Sequence, residues 1–163
     1  MPTISNTSPI LNLAIVGQLD LLRQQFGQIL IPPAVLNELK VDEERPGSLV
    51  IRRAIADEWI QVQPISNQAL VQLLRQTLDG GEAEAISLTV ELQADWLLLD
   101  ERDARKVAKS LGLQVTGVLG ILLRAKQSGA LSSLQSVINN LTQKADFRIA
   151  PDLLAKILQE RDG

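Results

Sequence analysis

Short apolar runs that stop at a polar residue or a proline alternate along the chain with longer stretches whose apolar positions recur every three or four residues. The first kind suits strands and the second suits amphipathic helices. Thr3-Ile4-Ser5 reads as a short strand, closed by Asn6-Thr7-Ser8-Pro9, where amide and hydroxyl caps precede a proline at the first helical position. Ile10, Leu11, Leu13, Ala14 and Val16 carry that helix to Gly17, and a second helix burying Leu19, Leu21, Leu22 and Phe26 ends at Gly27. Gln28–Ile31 is the next strand, stopped by Pro32, and Pro33 opens a helix through Val35, Leu36 and Leu39. The charged stretch Lys40–Pro46 is a solvated loop. A helix from Gly47 or Ser48 runs through Val50, Ile51, Ala54 and Ile55 to near Asp57, and Ile60–Gln63 alternates with the period of a strand. Ser66 is expected to cap a helix that buries Ala69, Leu70, Leu73 and Leu74.

The most informative stretch is Asp79–Asp103. Asp79 and two glycines precede two early acids, Glu82 and Glu84, in an order that suits a helix start and its dipole. Ala83, Ile86 and Val90, flanked by Ala85, Leu88 and Leu92, predict the buried stripe of that helix. The run Trp96–Leu99 has no polar alternation and suits a strand covered on both faces, with Asp100 where it stops. A helix to Gly112 follows, bearing Arg102, Arg105, Lys106 and Lys109 on one face, then a short strand Leu113–Val115 and an apolar helix Val118–Lys126. After Gly129 come a helix over Leu131–Leu141, an extended Phe147–Ile149 and a last helix Pro151–Gln159. Alternating strands and helices predict an α/β chain with four or five parallel strands and helices on both sides. Residues 1–163 are expected to form one domain, with 131–163 as a helical tail packing on the domain or on a partner.

Composition narrows the chemistry. The chain has no histidine, cysteine or tyrosine, which removes serine–histidine triads, thiolate catalysis, histidine-based ribonuclease chemistry and the common zinc sites. Carboxylates, hydroxyls, amides and Lys/Arg remain, an inventory that fits a carboxylate-bound Mg²⁺ or Mn²⁺. The net charge of −3 argues against a broad basic face for a long duplex, and only two Trp and two Phe are available for stacking on bases. No apolar run approaches the length of a membrane span and no leader pattern stands at the N-terminus, so the cytoplasm and no membrane partner are expected.

In an open α/β sheet the carboxyl ends of the strands form the ligand crevice. Asn6 with Thr7 and Ser8, and Asp100, are therefore site candidates, although residues of these types also serve as plain caps and turns. The basic face of Arg102, Arg105 and Lys106 reads either as solvated surface or as a rim that holds phosphates beside the acids.

Four segments in this order resemble the PIN-domain family, in particular its PIN-like toxins from prokaryotic toxin–antitoxin operons. They are ISNTSPILNLA with GQLDLL, IPPAVLNEL, GGEAEAISL, and WLLLDERDARKVAKSLGLQVTGVLGILLRAK, together covering residues 3 to about 130. The resemblance implies a three-layer α/β/α fold and Mg²⁺- or Mn²⁺-dependent hydrolysis of RNA. By position it places the first site residue on Asn6, with Thr7 and Ser8 beside it, and a second on Glu38. A third falls on Glu82, with Glu84 as the competing choice, and a fourth on Asp100, supported by Glu101 or Asp103. Glu38, Glu82 and Asp100 are then the metal ligands. The wider family has Asp where this chain has Asn6; an amide oxygen can ligate Mg²⁺ but adds no charge. The expected function is a metal-dependent endoribonuclease acting as the toxin of a pair, with RNA, an antitoxin and a second copy of the chain as partners. The alternative is a PIN-fold binding module without catalysis.

Overall fold

The computed structural model describes residues 2–145, 147, 149 and 151–160. Five short strands, β1 (Thr3–Ser5), β2 (Ile29–Ile31), β3 (Ile60–Val62), β4 (Trp96–Leu98) and β5 (Val115–Thr116), pair in parallel in the order β3-β2-β1-β4-β5. Parallel neighbours need crossovers, and helices supply them. Helices α1 (Thr7–Ile15) and α2 (Asp20–Phe26) lead to β2, α3 (Pro33–Leu39) and α4 (Ser48–Ala56) to β3, α5 (Gln68–Leu74) and α6 (Gly80–Leu92) to β4, and α7 (Arg102–Ser110) to β5. Helices α8 (Val118–Gln127), α9 (Leu134–Lys144) and α10 (Pro151–Glu160) follow. The chain winds outward from β1 to β3 and then resumes on the other side of β1 with β4. That reversal opens a crevice at the carboxyl ends of β1 and β4.

The sheet lies between two apolar clusters, giving the three-layer α/β/α architecture. One cluster joins Ile29, Ile31, Ile60 and Leu98 to α1, α2, α4, α8 and α9; the other joins Ile4, Leu97 and Leu99 to α5, α6 and α7. Leu97 and Leu99 thus face one layer and Leu98 the other, as the two-residue period of a strand requires. This is why the run around β4 carries no polar alternation. Leu134, Val137, Ile138 and Leu141 of α9 and Ile157 of α10 are buried in the first cluster.

Several expected boundaries shift. The Gln28–Ile31 strand begins at Ile29, and the Leu113–Val115 strand is instead Val115–Thr116, where it pairs with Leu97 and Leu98. Helix α9 starts at Leu134 and not at Leu131, because the Ser133 hydroxyl accepts the Ser136 N–H at 3.2 Å. Helix α5 is capped by Asn67, whose Oδ1 accepts the Leu70 N–H at 3.1 Å, and not by Ser66. Its buried face is correspondingly rotated: Val71 and Leu74 face the core, while Ala69 is exposed and Leu73 is 61% exposed. Of the stripe expected on α6, Val90 is exposed, while Ser87 and Thr89 are buried because α3, α5 and the sheet surround that helix. Val50 is exposed on α4, and Pro9, expected at the first position of its helix, is the third residue of α1, which starts at Thr7 because Asn6 already has the extended backbone of a cap position. Arg148, within the segment expected to be extended, lies outside the described residues.

Candidate active site

One three-residue turn gathers the site. Asn6 follows β1 with extended backbone, and its N–H donates to the Leu98 carbonyl of β4 at 2.9 Å, which ties the two central strand ends together. Its side chain does not cap α1. The residue is 6% exposed, and its Oδ1 is buried without a hydrogen-bond partner. Such an atom costs about 1–3 kcal/mol unless something satisfies it. Next in the chain, the Thr7 hydroxyl donates to Glu38 Oε2 at 2.6 Å, and the Ser8 hydroxyl donates to Asp100 Oδ2 at 2.9 Å. Asn12, one helical turn beyond Ser8, donates its Nδ2 to the Ser8 oxygen at 2.9 Å and so fixes the direction in which that hydroxyl points.

Glu38 lies on an exposed part of α3, yet both its oxygens are held. Oε2 accepts from Thr7, and Oε1 accepts the Gly81 N–H at the start of α6 at 3.1 Å. Gly81 leaves the space for this: a Cβ there would fall 2.5 Å from Glu38 Oε1. Asp100, just past β4, uses Oδ1 to accept the Val118 N–H at the start of α8 at 2.7 Å. Gly117 makes room in the same way, since its Cβ would stand 2.5 Å from Asp100 Oδ1. Burial pushes the Asp100 carboxyl above its ordinary value, opposed by its bonds to Val118 and Ser8 and by the positive charge of Arg105. Arg105 is itself oriented by donating to the Leu99 carbonyl at 3.0 Å.

The two glutamates of α6 divide their roles. Glu82 closes a capping box: Asp79 Oδ1 accepts its N–H at 2.8 Å, and its own Oε1 accepts the Asp79 N–H at 3.1 Å. It is 7% exposed, and burial raises its pKa, helped by the nearby carboxylates of Asp79, Glu101 and Glu38 and opposed by the hydrogen bond from the Asp79 backbone. Glu84 points elsewhere: its Oε1 accepts the Ala34 N–H at 3.0 Å and satisfies the start of α3, where Pro32 offers no side-chain cap. Glu101 caps α7 by accepting the Ala104 N–H at 2.8 Å, and Asp103 is exposed in the first turn of that helix.

Thus Asn6, Thr7, Ser8, Glu38 and Asp100 are joined through one turn, and Glu82 lies close enough to sense Glu38 and Glu101. Among the described residues, no three acids gather closely enough to hold one metal ion between them, and this includes Glu38, Glu82 and Asp100. The donors nonetheless suit a hard cation that keeps most of its water. Mg²⁺ takes one or two carboxylates and few other protein ligands, and the orphaned Asn6 oxygen is a ligand of the right kind. Arg102, Arg105, Lys106 and Lys109 line a groove of about 630 Å³ that includes Asp100 in its wall. Asn12, Gly81 and Gly117 were not legible as site residues. For Asn12 the signal was available, a polar residue four positions after Ser8 on an otherwise apolar helix.

The fold is similar to that of a PilT N-terminus domain protein from the hyperthermophilic archaeon Sulfolobus solfataricus P2. The TM-score is 0.50 at 17% sequence identity, over 77% of this chain and 93% of the archaeal one. No curated protein is similar enough in sequence to match. A family model described as DUF3368: PIN domain matches residues 2–162, so this chain belongs to the PIN-domain family, whose fold is of the nuclease type.

Proposed function

We propose that the protein hydrolyses phosphodiester bonds of RNA with the help of Mg²⁺ or Mn²⁺, and that it serves as the toxin of a toxin–antitoxin pair. PIN domains generally use divalent metal ions. The observation that carries the reading is the buried, unpartnered Asn6 Oδ1, set in the same turn as the hydroxyls that hold Glu38 and Asp100. Asn6, Glu38 and Asp100 would hold the ion with water filling its remaining positions, and Glu82 would add negative charge behind them. When bound, the ion acts as a Lewis acid on the phosphate and makes water a better nucleophile. The chain's own residues do the rest. Thr7 and Gly81 keep the Glu38 carboxylate facing the crevice, and Ser8, Asn12 and Val118 do the same for Asp100. Arg102 and Lys106 take phosphates flanking the scissile one, while Arg105 steadies the strand end beside Asp100. Direct attack by water on phosphorus, with the P–O3′ bond breaking and the departing 3′-oxygen taking a proton, leaves a 5′-phosphate and a 3′-hydroxyl. The antitoxin and a second copy of the chain are partners proposed from the resemblance of the sequence.

Calorimetric titration of metal-free protein with Mn²⁺, beside Glu38→Gln and Asp100→Asn, tests this. The expected outcome is binding by the parent, weakened at least tenfold by either substitution, and cleavage of RNA by the parent alone. Unchanged Mn²⁺ binding in both variants, or RNA cleavage that survives Asp100→Asn, refutes the assignment.

A second reading, a PIN-fold binding module without catalysis, is favoured by the absence of a three-acid set among the described residues and by the internal donors already facing both oxygens of Asp100. Asn6→Asp separates the two readings. A silent parent with an active variant marks a degenerate site, and silence in both marks a binding role.

A further inference from the structure

We infer that Phe147, Ile149 and α10 form a wall of the substrate site: a single RNA strand leaving the crevice runs between α7 and α10, with phosphates on both walls and a base against Phe147. This rests on the nuclease reading and extends it to how the strand is held. The groove beside Asp100 has α7 on one side, with Arg102, Lys106 and Lys109, and Lys156 of α10 and Phe147 on the other. These four cations are exposed, and the ion pairs found among the described residues, Arg45–Glu43 and Arg52–Glu44, lie elsewhere. In a protein of net charge −3, one groove therefore concentrates positive charge, unpaired among the described residues, next to a proposed catalytic acid.

The spacing suits a chain of phosphates. Positions 102, 106 and 109 share one helix face and rise along it in steps of roughly 4.5–6 Å, on the order of one nucleotide of an extended strand. The floor is apolar, with Leu119, Leu123 and Ile157. Cations at the rim and apolar surface beneath match a strand whose bases turn inward, as in single-strand sites. A duplex hides its bases and asks for a wide basic surface, against which the net charge of −3 argues.

The test uses the full chain without divalent ions and a fluorescein-labelled 2′-O-methyl RNA hexamer, which resists cleavage, followed by anisotropy from 50 to 200 mM salt. With four phosphate contacts the parent should lose about fifty-fold in affinity over that range, and Lys156→Ala, with one fewer, about eighteen-fold. Phe147→Leu keeps an apolar side chain and should weaken binding roughly tenfold at every salt concentration, without changing the slope. If both variants match the parent in affinity and slope, or if an acidic amphipathic peptide binds the groove while the hexamer does not, the inference is overturned. Failure of the nuclease reading looks different: Lys156-dependent binding of the hexamer would persist while unmodified RNA stays uncut in Mn²⁺.

Discussion

Gly80 and Gly81 are adjacent at the start of α6, yet alanine should act on them in opposite directions. Neither has a backbone angle that demands glycine, and a Cβ at Gly80 would meet nothing within 4 Å. Gly80→Ala therefore gains the usual ~0.4–1 kcal/mol from a less flexible unfolded chain. For a chain of this length that corresponds to a rise in Tm of about 1–4 °C. At Gly81 the methyl would sit 2.5 Å and 2.7 Å from the two Glu38 oxygens. Glu38 is exposed and its head can swing into water, so the clash is relieved by giving up the carboxylate bond to the Gly81 N–H. A hydrogen bond to a charged acceptor contributes about 1.5–3 kcal/mol, and water reaching the freed N–H returns part of it. After the same entropic gain, Gly81→Ala should be destabilised by at most about 2.5 kcal/mol. Its Mn²⁺ affinity should fall because Glu38 has moved. Thermal and urea unfolding of both variants, with Mn²⁺ titrations, reads all of this. If Gly81→Ala is as stabilising as Gly80→Ala and binds Mn²⁺ like the parent, the contact between Gly81 and Glu38 does not set the site.

Glu82→Gln should be more stable than the parent at pH 7, since glutamine can keep the capping box while the buried charge beside Asp79, Glu101 and Glu38 is gone. The folded parent holds the Glu82 proton more tightly than the unfolded chain does. Its charged form therefore destabilises at higher pH, and the gap to the variant should close as pH falls through the raised value toward the ordinary 4.5. Urea unfolding across that range checks it, and a gap of constant size counts against the burial argument. Glu84→Ala should cost about 1–2 kcal/mol by uncapping α3, lowering Tm by about 2–8 °C, with Mn²⁺ affinity unchanged; lost affinity at full stability would make Glu84 a ligand after all. Ser8→Ala leaves Asn12 Nδ2 and Asp100 Oδ2 without their shared partner and should cost about 1–3 kcal/mol. Ser8→Thr, which restores the hydroxyl, should recover Mn²⁺ binding that Ser8→Ala loses; equal binding by both would remove the hydroxyl from the site.

What was legible follows the range of the interactions. Strand ends and helix starts are local, so Asn6, Asp79 and Asp100 stand at the element boundaries their neighbours in sequence suggest. The face of α5 was misjudged because Ala69, Leu70, Val71, Leu73 and Leu74 admit two apolar stripes, and only packing on α6 selects Val71 and Leu74. Choosing between Glu82 and Glu84 needed α3 in place, since what occupies Glu84 is a backbone group 50 residues away. The spaces at Gly81 and Gly117 likewise exist only where a distant carboxylate arrives. In sequence these two look like any glycine beside a helix start.

The turn that gathers the site also decides when in the life of the chain the site can exist. Its bonds join residues 31 and 92 positions apart, and Asp100 meets its second donor only when Val118 is present. A growing chain, or a fragment ending before that residue, carries the acids without the arrangement that aims them, and Lys156 arrives later still. Folding generally proceeds behind synthesis from the N-terminal side. A protein of this design, if it cuts RNA, is therefore inert until Val118 has been made, and fragments that end before that residue are harmless to the message from which they came.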